Sequence, residues 1–73
     1  MKIHYLLDMA NAIGENLQSL PDADEARLEI SQHLRRFWDP AMRQQLLAHL
    51  DQTGGEGLLP VVQQALQLLR SGA

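Results

Sequence analysis

Two arginines stand beside two aromatics in His33-Leu34-Arg35-Arg36-Phe37-Trp38-Asp39-Pro40, and a third arginine, Arg43, follows within a turn of the proline. Guanidinium forks bind carboxylates and phosphates through paired hydrogen bonds, and arginine and tryptophan are enriched among the residues that dominate protein interfaces. On a helix Leu34 and Phe37 point inward, so Arg35 and Arg36 project outward. Asp39-Pro40 turns the chain, which lets Arg35 or Arg36 converge with Arg43 near the start of the next helix. His33, Arg35, Arg36, Trp38 and Arg43 are therefore the candidate partner-binding or anion-binding residues. The same stretch also has a purely architectural reading. Basic residues in a last helical turn offset the dipole by roughly 0.3–1 kcal/mol each, and Trp38 would then cap the core.

Other chemistry is poorly supplied. Cysteine is absent, which removes disulfides, iron–sulfur ligation and thiol catalysis. The histidines His4, His33 and His49 share no short ligand spacing and have no Cys partners, so no metal is expected. Ser19, Ser31 and Ser71 lie outside any nucleophile-elbow pattern. Glu25 and Glu29 pair at helical spacing on a solvent face, where nothing separates their acidities as acid–base catalysis requires. Gly54-Gly55-Glu56-Gly57 precedes a helix and could present free amides to a phosphate. It lacks a preceding strand and a following Lys-Ser/Thr, so helix punctuation is the better reading. A catalytic residue is expected nowhere in the chain.

The elements that position these residues follow from periodicity. Ile3, Leu6, Leu7, Ala10, Ile13 and Leu17 fall on one stripe and predict a helix over about 3–18. Gly14 shares that stripe, either as the mark of a close helix–helix approach or as a tolerated surface glycine. Pro21 ends the first helix. Asp22, with Glu25 three residues on, starts a second over about 22–38, with Ala23, Ala26, Ile30, Leu34 and Phe37 inward. Asp39 as N-cap and Pro40 in the first turn open a third over about 40–52, burying Met42, Leu46, Leu47 and Leu50. A fourth, about 58–70, carries Leu58, Leu59, Val62, Ala65, Leu66 and Leu69 on one face, with Gly57 capping its start. Val61 and Leu68 lie off that face and offer a second contact surface. The expectation is an all-α, single-domain bundle of about four short helices.

Size and charge bound the function. A chain of 73 residues buries only about 60% of its unfolded surface, and folds this small usually gain support from a metal, disulfides or association; here association is the remaining route. The net charge of −3 argues against nucleic acid as a ligand. No run is long enough to span a bilayer and no signal-peptide pattern opens the chain, so a cytoplasmic protein is expected, with no membrane partner.

Three stretches taken together, Ile3-His4-Tyr5-Leu6-Leu7-Asp8-Met9-Ala10-Asn11-Ala12-Ile13-Gly14, His33-Leu34-Arg35-Arg36-Phe37-Trp38-Asp39-Pro40-Ala41-Met42-Arg43 and Leu50-Asp51-Gln52-Thr53-Gly54-Gly55-Glu56-Gly57-Leu58, resemble the delta subunit of soluble NAD-dependent formate dehydrogenases. The resemblance covers nearly the whole chain in order. It implies a non-catalytic accessory subunit that assembles or stabilises the enzyme and assists insertion of its molybdopterin guanine dinucleotide cofactor. It also implies a molybdenum- or tungsten-dependent catalytic subunit as partner, with maturation factors beside it. That partner enzyme is expected to carry bis-molybdopterin guanine dinucleotide, iron–sulfur clusters and FMN, and this chain no tightly bound cofactor. Two other readings stay open: a small nucleotide- or anion-binding protein using the Arg/Trp cluster, and a self-associating adaptor that dimerises through Val61 and Leu68.

Overall fold

Very short connections shape the structure, a computed structural model that describes residues 2–72. Four α-helices follow one another among these residues: α1 (Ile3–Leu17), α2 (Ala23–Phe37), α3 (Pro40–Thr53) and α4 (Pro60–Arg70). The fold class is all-α, as the periodicity predicts. Asp22 caps α2 by accepting the Asp24 N–H on Oδ1 at 2.9 Å. Asp39 occupies the N-cap of α3 through its backbone only, its carbonyl accepting the Arg43 N–H at 3.1 Å while its side chain makes no capping bond.

α4 begins two residues later than the hydrophobic pattern indicates. Pro60 takes the first helical position and Leu59 the N-cap, in extended backbone. Leu58 is held in the preceding turn, its N–H bonded to the Gly55 carbonyl at 2.9 Å. The apolar run continues through the turn because Leu58 is a core residue without being a helical one. Gly57 is not the cap expected from its position. The free amide at this helix start is met by a side chain from α1: Leu59 N–H donates to Asn11 Oδ1 at 3.0 Å, and Asn11 Nδ2 donates to the Gly57 carbonyl at 2.8 Å.

The core draws on every helix. Leu6 and Ala10 from α1, Ile30 and Leu34 from α2, Leu46 and Leu50 from α3, and Val62, Ala65 and Leu66 from α4 close around Trp38 and Leu58. α2 and α4 share the most extensive helix pairing. They run in the same direction: Arg27 Nη1 donates to Gln64 Oε1 at 3.0 Å near their starts, and Arg35, Leu69 and Gly72 line one cavity near their ends. Ala26 and Ala65, both buried, give these helices small contact residues.

Gly14 resolves in favour of the close approach. A Cβ there would lie 2.6 Å from Val62 Cγ2, with Leu59 and Val61 side-chain atoms just beyond. Val61, off the expected stripe, is half-buried and packs against the core beside this contact, so it serves the α1–α4 joint. Leu68 is half-buried.

Candidate functional site

The end of α2 decides what the central arginines can do. The last four carbonyls of any helix lack intrahelical partners. Here Arg43, reaching back from α3, serves two of them and the C-cap residue: its Nη1 donates to the carbonyls of Trp38 at 2.7 Å, Arg35 at 2.9 Å and Leu34 at 3.4 Å. A guanidinium at this position also meets the negative end of the α2 dipole. Arg43 thus acts as a cap of the α2 end.

The two aromatics are exchanged relative to the periodic reading. Phe37, expected inward, is 72% exposed, whereas Trp38 is 7% exposed and part of the core. The reason is local. Phe37 is the last helical residue, and Trp38 leaves the helix in extended backbone (φ −93°, ψ 142°) while its N–H still bonds the Leu34 carbonyl at 3.1 Å. That bend turns the indole into the bundle and leaves the phenyl ring outside. Trp38 therefore presents no free ring face to a nucleotide base or to a partner. His33, one turn earlier, is half-buried and packs against Phe37 in a tilted arrangement, with ring centroids 4.9 Å apart and planes at 51°. Its Nδ1 is buried with no hydrogen-bond partner.

Arg35 and Arg36 both stand exposed, as expected. Arg35 shares a cavity of about 350 Å³ with Arg43, and Pro40, Gln44, Leu47, Leu69 and Gly72 complete its lining. Arg36 is not part of that lining and makes no ion pair or hydrogen bond among the described residues. Arg27 is paired with Asp24 and bonded to Gln64, and Arg70 is paired with Asp51. Of the five sequence candidates, the structure thus exposes Arg35 and Arg36 on the last turn of α2, half-buries His33 and Arg43, and buries Trp38. Phe37 is the surface residue that the sequence reading misses, because an inward-facing stripe was carried through to a helix end that bends.

The glycine-rich turn offers no phosphate cradle. The Gly55 and Glu56 amides donate to Thr53 Oγ1 at 3.2 and 3.0 Å, and the Gly54 amide donates to the Leu50 carbonyl at 2.9 Å. Gly54, with φ 75°, ends α3 in the left-handed conformation that glycine adopts at little cost. Glu56's carbonyl meets His49 Nε2 at 2.7 Å, which closes the turn on α3. Among the described residues no group of three or more His, Asp or Glu side chains could hold a metal ion. Among the described residues no helix is long and apolar enough to cross a membrane. Ser31, the buried serine, bonds its own helix at the Leu28 carbonyl, 2.8 Å away.

These features define a small all-α bundle in which many polar side chains bond backbone at turns and helix ends, and in which one helix end presents charged and aromatic side chains. Residues 5–66 of the 73 match the protein family described as NADH-dependant formate dehydrogenase delta subunit FdsD, and the chain belongs to that family. It is a small helical accessory subunit of formate dehydrogenase, not the catalytic one. Comparison with curated proteins and with solved structures returned no match.

Proposed function

We propose that this subunit docks on the molybdenum- or tungsten-dependent catalytic subunit of a formate dehydrogenase and holds it in a form able to take up and keep its bis-molybdopterin guanine dinucleotide. Electron transfer through iron–sulfur clusters and FMN to NAD then takes place in other chains. The family match along residues 5–66 carries this reading. The cysteine-free composition supports it, since such a chain has no thiolate with which to ligate an electron-carrying cluster. So does size: a core assembled from short helices is marginal alone, and docking supplies further burial.

Nucleotide binding at the Arg/Trp cluster is the weaker reading. Stacking a base on Trp38 would require opening the core, and the Nη1 of Arg43 already serves three carbonyls. The test is deletion. Formate dehydrogenase isolated from the native host lacking this chain should show lower molybdenum or tungsten content and proportionally lower formate-dependent NAD reduction, both restored by returning the gene. Full metal content and full activity without the chain would refute the proposal.

A further inference from the structure

Apolar side chains exposed singly on a surface are ordinary. Phe37 is the most exposed of the large apolar residues, at 72%, and although Tyr5 likewise packs its ring on a neighbouring histidine, Phe37 stands at a capped helix end with an arginine beside it. Its backbone sits at a helix end pinned by Arg43, whose Nη1 bonds the carbonyls on either side of it at Arg35 and Trp38. Its ring rests on His33 at 4.9 Å. A large aromatic already held in position loses little conformational freedom when it is covered, which is how rigid anchors gain affinity. Beside it, Arg36 has Gln32 and His33 as its neighbours one turn back, neither of them acidic, and no ion pair among the described residues. Arg27, Arg43 and Arg70 are all engaged within the domain.

We infer that Phe37 and Arg36 form the docking anchor of this subunit, and that their occupant is an apolar pocket with a carboxylate at its rim on the formate dehydrogenase catalytic subunit. The inference rests on the accessory reading and names the surface that serves it. Charge complementarity selects this occupant. The chain as a whole carries −3, so an acidic partner surface is oriented toward the end where Arg36, although Asp39 follows three residues on, makes no ion pair among the described residues. A second copy of the chain fits poorly, because a two-fold contact through this patch would set Arg36 against Arg36.

The test uses the full chain, tagged and expressed in the native host lacking its own copy, with the catalytic subunit recovered on it quantified. Phe37→Ala should melt as the wild type does and Arg36→Glu, which reverses a charge in the last turn of α2, a few degrees lower; both should stay folded at the assay temperature yet recover about tenfold less catalytic subunit. Arg36→Lys should retain most of the recovery, and Leu28→Ala, an exposed control on another face of α2, all of it. Raising the salt should weaken the wild type and, by screening the new repulsion, raise the recovery by Arg36→Glu toward it. Wild-type recovery by both Phe37→Ala and Arg36→Glu would overturn the anchor while leaving the accessory reading standing. Failure of the wild-type chain itself to recover catalytic subunit would remove both. A wild-type homodimer in light scattering that Phe37→Ala dissolves would assign the patch to a second copy and overturn the inference.

Discussion

Arg43 and His33 show how differently two candidate residues of one motif can be used. Arg43 reaches three carbonyls at the end of α2. A hydrogen bond to a charged group contributes about 1.5–3 kcal/mol, although these three share one nitrogen and cannot each contribute in full. Arg43→Met, which keeps the aliphatic stem, is expected to destabilise the domain by about 2 kcal/mol in urea unfolding. A change below about 0.5 kcal/mol would mean that water replaces the cap. His33 presents the reverse case, a buried Nδ1 with no partner. Leaving such an atom unsatisfied costs about 1–3 kcal/mol, so His33→Phe, which preserves the packing against Phe37, should raise the melting temperature. The motif was visible in the sequence as a cluster of residue types. Its division into supports and surface was not, because that division depends on one bent peptide at Trp38 that no spacing rule encodes.

At the scale of elements, the joint between α1 and α4 rests on Gly14 and Asn11. Gly14→Ala gains about 0.8–1 kcal/mol of helix propensity, against overpacking that typically costs about 1–3 kcal/mol. The neighbour is Val62, fully buried and stiff at χ1, so overpacking should win and the variant should be less stable than the wild type. Pairing it with Val62→Ala should recover part of the loss made by either change alone, which equilibrium unfolding of the double-mutant cycle would measure. Asn11 bridges positions 46 and 48 residues away. Asn11→Asp keeps the acceptor for the Leu59 amide but loses the donor to Gly57, so it should fall between wild type and Asn11→Leu in stability, and equal losses in the two variants would contradict that division of labour. Helix number and faces were readable from apolar periodicity. The start of α4 was not, because Leu58 is buried for a tertiary reason and extends the stripe beyond the helix, and its cap comes from another helix.

For the whole molecule, the internal use of polar groups is the informative feature. Thr53, Asn11, Gln63 and Arg43 all bond backbone at turns or helix ends, which leaves the exposed end of α2 as the place where arginine and aromatic side chains face outward. The most direct measurement is size-exclusion chromatography, with mass spectrometry and metal analysis, of the tagged chain isolated from its host grown on formate. The account predicts one peak in which this chain, the catalytic subunit, molybdenum or tungsten and formate-dependent NAD reduction elute together. Elution of the chain alone, well separated from all formate dehydrogenase activity, would contradict it.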